Sequence, residues 1–201
     1  MASPLSVRTL EEATRSFAAQ PGLAEKLAWW LINPHSAEPW LQFELAFQLS
    51  RVLTGRYEVR CEKEGRKDIV LYQSQPSEPA AAIELKFFGN WWWDETSSQF
   101  LEYVTSDAQK IEKFPFDAIA LAVWLFAKPR EGSKYRSTFD SVRKGKGTWA
   151  IEDIRSMYTR KIRQPNVYFD ISCDPSEAFE TLAWHVFGFY NSRVRDGRPT
   201  A

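Results

Sequence analysis

Residues 66–86 contain two short apolar runs separated by a polar segment rich in Pro, Ser and Gln. This pattern predicts two adjacent β-strands joined by a turn. Asp68 begins the first run, and Glu84 and Lys86 end the second. Because the start of one strand in a hairpin lies beside the end of the next, we expect Asp68 to approach Glu84. Side chains alternate along a strand, so Glu84 and Lys86 should share one face while Leu85 points into the core.

The predicted hairpin therefore brings two carboxylates and one ammonium group together at the edge of a sheet. Two hard oxygen ligands with open coordination positions suit Mg²⁺, which keeps several waters and recruits substrate phosphates. Mn²⁺ is expected to substitute for it. The alternative is a surface hairpin in which an Asp, a Glu and a Lys form ordinary salt bridges.

Asp68 followed by Glu84-Leu85-Lys86 resembles the Asp…Glu-x-Lys signature of the PD-(D/E)XK nuclease superfamily, over about residues 36–126. The apolar run before Glu84 is similar to many of its members, as is the basic approach to Asp68. Lys67 replaces the family's Pro, which matters little because the carboxylate is the ligand. The resemblance implies a Mg²⁺-dependent nuclease, most simply a DNA endonuclease. It also implies that Asp68, Glu84 and the Leu85 carbonyl hold the metal, and that Lys86 orients the attacking water.

Residues 36–53 give the strongest helix prediction, with Ser36 as the N-cap and Gly55 as the C-terminal stop. Glu44 shares a face of this helix with apolar side chains, so its carboxylate should be partly buried and need a partner. In the resembled family, a glutamate on the helix before the first core strand often points into the metal site, and Glu44 matches that position. Pairing with a surface arginine such as Arg51 is the alternative.

The remaining pattern predicts an α/β fold, with a mixed central β-sheet flanked by helices and a restriction-endonuclease-like αβββαβ core. We divide the chain into an N-terminal helical extension, a nuclease-like core, and a basic segment with a final strand and a C-terminal helix in the same globular domain. These parts comprise residues 1–35, 36–127 and 128–201. Helices are predicted at residues 6–19, 22–31, 97–113, 149–161 and 175–190, strands at 57–62, 116–126 and 166–172, and a mobile loop at 133–147.

The sequence offers more than one role for three further groups of residues. Asp107 and Lys110 resemble an Asp and a Lys that many relatives carry on the helix after the Glu-x-Lys strand, but we favour surface pairing for them. The consecutive tryptophans at 91–93 could stack on bases or form a hydrophobic lid or dimer contact, and we favour a structural role. With only His35 and His185, a His-based zinc site or nucleophile–His triad is not expected. His185 is interpreted as a packed core residue.

The positive charge of the chain is concentrated in one segment, as a localised phosphate-binding face would require. Residues 128–163 hold 11 Lys+Arg against 4 Asp+Glu, a net charge of +7, although the whole chain has a net charge of zero. Such a segment can bind a nucleic-acid backbone or can simply be a solvated loop, and the sequence favours neither. The candidate nucleic-acid-binding residues are Arg66, Lys67, Arg143, Lys144, Lys146, Arg160 and Lys161.

Composition limits the remaining classes of function. No stretch reaches the roughly 18 apolar residues of a membrane span, and a secretory signal pattern is lacking. The two cysteines imply no disulfide framework and suit a reducing cytoplasm. The zero net charge and the aromatic content of 15%, with nine Trp, favour the alternative function. That alternative is a non-catalytic nucleic-acid-binding or protein-interaction module on the same fold, and a homodimer is compatible with both functions.

Overall fold

The computed structural model of the chain describes residues 3–32, 38–61, 67–73, 78–89, 97–142, 150–173 and 176–195. The helices in these ranges are α1 Val7–Ala18, α2 Leu23–Ile32, α3 Glu38–Val52, α4 Ser97–Ile111, α5 Lys134–Val142, α6 Ile151–Lys161 and α7 Ser192–Arg195. The strands are β1 Tyr57–Cys61, β2 Ile69–Gln73, β3 Pro79–Gly89, β4 Asp117–Pro129, β5 Val167–Cys173 and β6 Phe179–Tyr190. None of the described helices combines the length and the apolar character needed to cross a membrane.

The described strands form one six-stranded sheet in the order β1-β2-β3-β4-β6-β5. The neighbours β1 and β2, and β2 and β3, pair antiparallel, whereas β3 and β4 pair parallel. A parallel pair needs a crossover connection, and α4 supplies it between β3 and β4. The predicted mixed sheet with flanking helices is therefore confirmed, and the elements from α3 to β4 follow the predicted order αβββαβ.

Apolar side chains cover both faces of this sheet, as expected for its central strands. On one face α1 and α3 pack against the sheet, and the Phe17 ring meets Trp184 edge to face with 5.3 Å between ring centroids. On the other face α4 and α6 pack, and the buried Trp124 Nε1 donates a hydrogen bond to the Tyr158 hydroxyl at 2.9 Å. Helix α1, part of the predicted N-terminal extension, thus contributes to the main core.

The helix predicted over residues 175–190 is wrong, because Phe179–Tyr190 forms strand β6 between β4 and β5. The spacing of Phe179, Leu182, Val186 and Phe189 fits a helical stripe. However, the segment is also rich in aromatic and β-branched residues and is apolar towards both faces of the sheet. Periodicity does not distinguish a buried strand from a buried helix, and pairing along β4 and β5 decides between them.

The basic segment also differs from the prediction. Lys134–Val142, predicted as part of a mobile loop over residues 133–147, is helix α5. The rest of that loop from residue 143 onwards lies outside the described residues. The helix predicted over residues 149–161 is confirmed as α6, and the strand over 166–172 is confirmed as β5.

Gly188 on β6 lies where the two neighbouring strands leave no room for a side chain. A Cβ atom there would lie 2.7 Å from Ile119 Cδ1 and 2.9 Å from Val167 Cβ. We expect Gly188→Ala to lower the free energy of unfolding by about 1–3 kcal/mol through overpacking, as measured by urea denaturation. Thr181→Ala, at an exposed position on the same strand, should change it by less than about 0.5 kcal/mol. If Gly188→Ala left the free energy of unfolding unchanged, the neighbouring side chains would have to shift and make room for the added methyl group.

Candidate active site

The β2–β3 hairpin brings the predicted acidic residues together. Ile69 pairs with Ile83, so Asp68, directly before β2, lies beside Glu84. The Leu85 N–H donates a hydrogen bond to Asp68 Oδ2 at 2.7 Å. Leu85 is fully buried, and its neighbours Glu84 and Lys86 point to the opposite face of β3, as the strand period predicts. The expected convergence of the two acids and the lysine is therefore observed.

These side chains line a cleft with a volume of about 700 Å³. Its walls come from α3, the end of β1, the hairpin and α4. The Gln42 side-chain amide donates a hydrogen bond to the Asp68 carbonyl and so ties α3 to the hairpin. The charged residues that line the cleft are Lys67, Asp68, Glu84, Lys86, Asp107 and Lys110.

Glu84 is the most deeply buried acid of the cleft, with a side-chain exposure of 3%. Its Oε2 accepts a hydrogen bond from Lys110 Nζ at 2.5 Å, whereas its Oε1 finds no donor among the described residues. Burial raises the pKa of Glu84 to about 7, against the opposing effect of Lys110. The negative charges of Asp68 and Asp107 contribute to this raised pKa. Among the described residues of the cleft, Glu84 Oε1 and Asp107 Oδ2 are therefore buried carboxylate oxygens without a hydrogen-bond partner.

Lys86 is held by acids from two helices. Its Nζ lies 3.2 Å from Glu38 Oε1 and 3.6 Å from Asp107 Oδ2. Burial lowers the pKa of this ammonium group, but the charges of Asp107 and Glu38 outweigh burial and raise the pKa overall. Lys86 is therefore a charged donor with a fixed position, which is the property that a charge-stabilising group in an active site needs.

The sequence interpretation of Asp107 and Lys110 as a surface pair is wrong, because both side chains face the cleft. Lys110 reaches Glu84 and Asp107 reaches Lys86. Burial raises the pKa of Asp107, while the nearby Lys86 opposes this shift. A sequence signal existed: Asp107 lies seven residues after Phe100, on the same stripe of α4 that packs against the sheet.

Glu44 is not brought to the cleft. Its carboxylate accepts a hydrogen bond from Gln20 Nε2 at 2.9 Å, and it lines a neighbouring cavity. Its proposed alternative partner Arg51 lies instead over the Phe47 ring. The helix acid at the cleft is Glu38, six residues earlier in the first turn of α3, which also accepts from the Phe87 N–H at 3.4 Å. Six residues correspond to a rotation of about 240° around a helix, so the two acids face different directions.

The predicted nucleic-acid-binding residues are only partly described. Lys67 lines the cleft, with its Nζ 5.5 Å from the centroid of the Phe116 ring. Arg160 and Lys161 are exposed in the last turn of α6, and Lys161 lines a separate groove against α4. The other predicted nucleic-acid-binding residues lie outside the described residues: Arg66, Arg143, Lys144 and Lys146. His35 and the three tryptophans at 91–93 also lie outside them.

His185 is a packing residue on β6 rather than on a helix. Its half-buried ring meets Phe126 edge to face at 5.0 Å and stacks on Tyr168 at 6.5 Å between centroids. Burial lowers the pKa of the His185 imidazole, while the acidic Asp170 opposes this shift. The interpretation of His185 as a packed side chain agrees with these contacts.

The cleft offers oxygen donors that suit a hard divalent cation, although its described side chains do not form a ready-made metal cage. Within the described ranges, no group of three or more His, Cys, Asp or Glu is arranged to hold a metal ion. The unpartnered Glu84 Oε1 and the adjacent Asp68 carboxylate are nevertheless the donor types that Mg²⁺ prefers. So is the Leu85 carbonyl, which accepts a hydrogen bond from Lys86 Nζ at 3.3 Å. A divalent ion would compete with Lys110 for Glu84, because Lys110 already neutralises that carboxylate. The residues therefore fit Mg²⁺, but only as an open site completed by waters or a phosphate.

Comparisons with protein-family models, curated proteins and solved structures found no match to this chain. Its function is therefore inferred from the cleft and from the motif resemblance.

Proposed function

We propose that this protein is a Mg²⁺-dependent nuclease that hydrolyses phosphodiester bonds, with DNA as its substrate and an endonucleolytic mode of cleavage. The observation that carries this proposal is the convergence of Asp68, Glu84 and Lys86 in one cleft at the edge of the sheet. The order of elements from α3 to β4 also supports a PD-(D/E)XK type of core. A buried acid with a free oxygen beside a fixed ammonium group suits phosphoryl chemistry better than it suits stability alone.

Each residue of the cleft has a distinct role in this proposal. Asp68, Glu84 and the Leu85 carbonyl would hold the ion, which when bound lowers the pKa of a coordinated water and polarises the scissile phosphate. The Lys86 ammonium group would orient the attacking water and stabilise the negative charge that develops on the phosphoryl group. Glu38 would keep Lys86 charged and in position.

The same contacts also support a second candidate, a non-catalytic nucleic-acid-binding or protein-interaction module. Lys110 pairs with Glu84 and Lys86 pairs with Glu38, so the charges of the cleft largely neutralise one another. Such a network can fix the relative positions of α3, α4 and the hairpin without any chemistry. The two candidates differ in whether the cleft takes up a divalent ion.

Calorimetric titration of Mg²⁺ and Mn²⁺ distinguishes them. We expect the wild-type protein to bind Mn²⁺, and we expect Asp68→Asn and Glu84→Gln to weaken binding at least about tenfold, because each replaces a carboxylate ligand with a neutral amide. The matched control is Asp170→Asn, at an exposed position on β5 at the opposite edge of the sheet, which should bind as wild type does.

Two outcomes would contradict the nuclease. An Asp68→Asn protein that cleaves DNA with unchanged metal dependence would refute the assigned site. Absence of metal binding both without and with a DNA duplex would favour the interaction module, since the duplex phosphates are able to complete an open coordination sphere.

A further inference from the structure

Helix α3 carries two exposed aromatic side chains beside the cleft. Phe43 and Phe47 are 59% and 57% exposed, more than any other large apolar side chain in the described part of the chain. Residues four apart lie on the same side of a helix, so the two rings form one continuous surface. A single exposed apolar side chain needs no explanation, but two neighbouring phenylalanines at the rim of a charged cleft form a candidate contact surface.

This aromatic surface continues directly from the candidate active site. Phe43 lines the cleft and also lines the adjacent cavity of about 770 Å³, in which Phe47, Gln48 and Arg51 take part. Phe43 is therefore the side chain that the cleft and the cavity along α3 share. Arg51 lies beside these rings, with its guanidinium 5.9 Å from the centroid of the Phe47 ring, and it adds a positive charge to the cavity.

We propose that Phe43 and Phe47 stack on unpaired nucleobases next to the phosphate that occupies the cleft, so that the preferred substrate contains a single-stranded segment. This inference rests on the proposed nuclease function and narrows its substrate class. Aromatic rings accept any base, because every base has a π-face. Bases inside a duplex are already stacked on their neighbours and do not reach a helix surface without being displaced.

The polar residues around the rings fit the same occupant. Arg51 offers a positive charge for the phosphate that follows the stacked base. The acid on this surface, Glu44, accepts a hydrogen bond from Gln20 Nε2, which fixes its position. The surface therefore combines π-faces with a cation, as single-strand binding sites do.

The test is fluorescence anisotropy with labelled single-stranded oligothymidylate and with an abasic strand of the same length, both without divalent ions so that no cleavage occurs. We expect Phe47→Ala and Phe47→Leu to weaken binding of the base-containing strand roughly tenfold and Phe47→Trp to preserve it. The abasic strand should bind all four proteins equally. Tyr103→Ala, which removes another exposed aromatic ring on α4, is the control and should bind as wild type does.

Several outcomes would overturn the inference. One is a Phe47→Leu protein with wild-type affinity, and another is an equal loss of affinity for the abasic strand. A third is a dimer, seen in sedimentation, that Phe47→Ala dissociates without changing strand affinity, because the rings would then be an interface between two copies. Failure of base-dependent binding with an intact Asp68 and Glu84 metal site would refute this inference alone. Unchanged metal binding and cleavage in Asp68→Asn would refute the proposed function instead.

Discussion

In the proposed nuclease, Lys86→Met should lower the rate of phosphodiester cleavage by at least about 100-fold, because it removes the ammonium group assigned to stabilise the charge on the phosphoryl group. The ammonium group that is lost lies 3.2 Å from Glu38 and 3.6 Å from Asp107 in the wild-type protein. The measurement is single-turnover cleavage of plasmid, linear and single-stranded DNA at saturating Mg²⁺. Binding of the same DNA should change far less than the rate.

A matched control is available on α4's C-terminal side. Lys113→Met removes an exposed lysine that does not line the cleft, and it should cleave at the wild-type rate. Melting temperatures of both variants would separate a catalytic loss from unfolding. A folded Lys86→Met protein that cleaves within threefold of wild type would remove Lys86 from the reaction.

Lys110→Met should lower the free energy of unfolding by about 3 kcal/mol above neutral pH in the absence of metal, because it leaves the buried Glu84 carboxylate without its cation. The loss should depend on pH. The pKa of Glu84 is already raised from 4.5 to about 7 in the folded state, so the folded protein binds more protons than the unfolded chain between these values. The Glu84 contribution to stability therefore falls as pH rises from about 4.5 to about 7. Without Lys110 the decline should extend to higher pH, and near pH 4.5 the variant should approach wild type.

Urea denaturation at several pH values measures this effect, with Glu84→Gln as the matched background. In Glu84→Gln the further change Lys110→Met should cost much less, since the buried Glu84 carboxylate that Lys110 pairs with is gone. Mn²⁺ should stabilise Lys110→Met more than it stabilises wild type, because the ion and Lys110 compete for the same carboxylate. A pH-independent loss, or one below about 0.5 kcal/mol, would mean that the pair contributes little to folding.

The hairpin and its acidic residues were predictable because they depend on local rules. A period of two fixes that Glu84 and Lys86 share a face, and a short polar connection fixes that Asp68 returns beside Glu84. The long helix α3 and the buried strand β4 were predictable for a similar reason, since their apolar patterns are extended and unbroken. The placement of the cleft at one edge of a mixed sheet follows from these elements and their order.

The packing of each helix sets its rotation about its own axis. That rotation decides which helix side chains face the cleft. Sequence reasoning chose Glu44 by its apolar neighbours, but the packing of α1 on α3 turns Glu44 towards Gln20 and brings Glu38 to Lys86. In the same way, the packing of α4 against the sheet turns Asp107 and Lys110 into the cleft. A rotation of two residues moves a side chain by about 200°, and composition alone does not specify it.

Strand β6 shows most clearly why local sequence patterns predicted some elements and tertiary contacts decided others. Its aromatic residues satisfy a helical period and a strand preference equally well, so its local sequence allows both structures. Its long ladder with β4 and its second ladder with β5 supply backbone hydrogen bonds on both sides, and Gly188 allows the close approach that this position requires. Short-range patterns therefore determined the hairpin that carries the acids. Long-range pairing and burial determined the rest of the sheet and the partners that surround those acids.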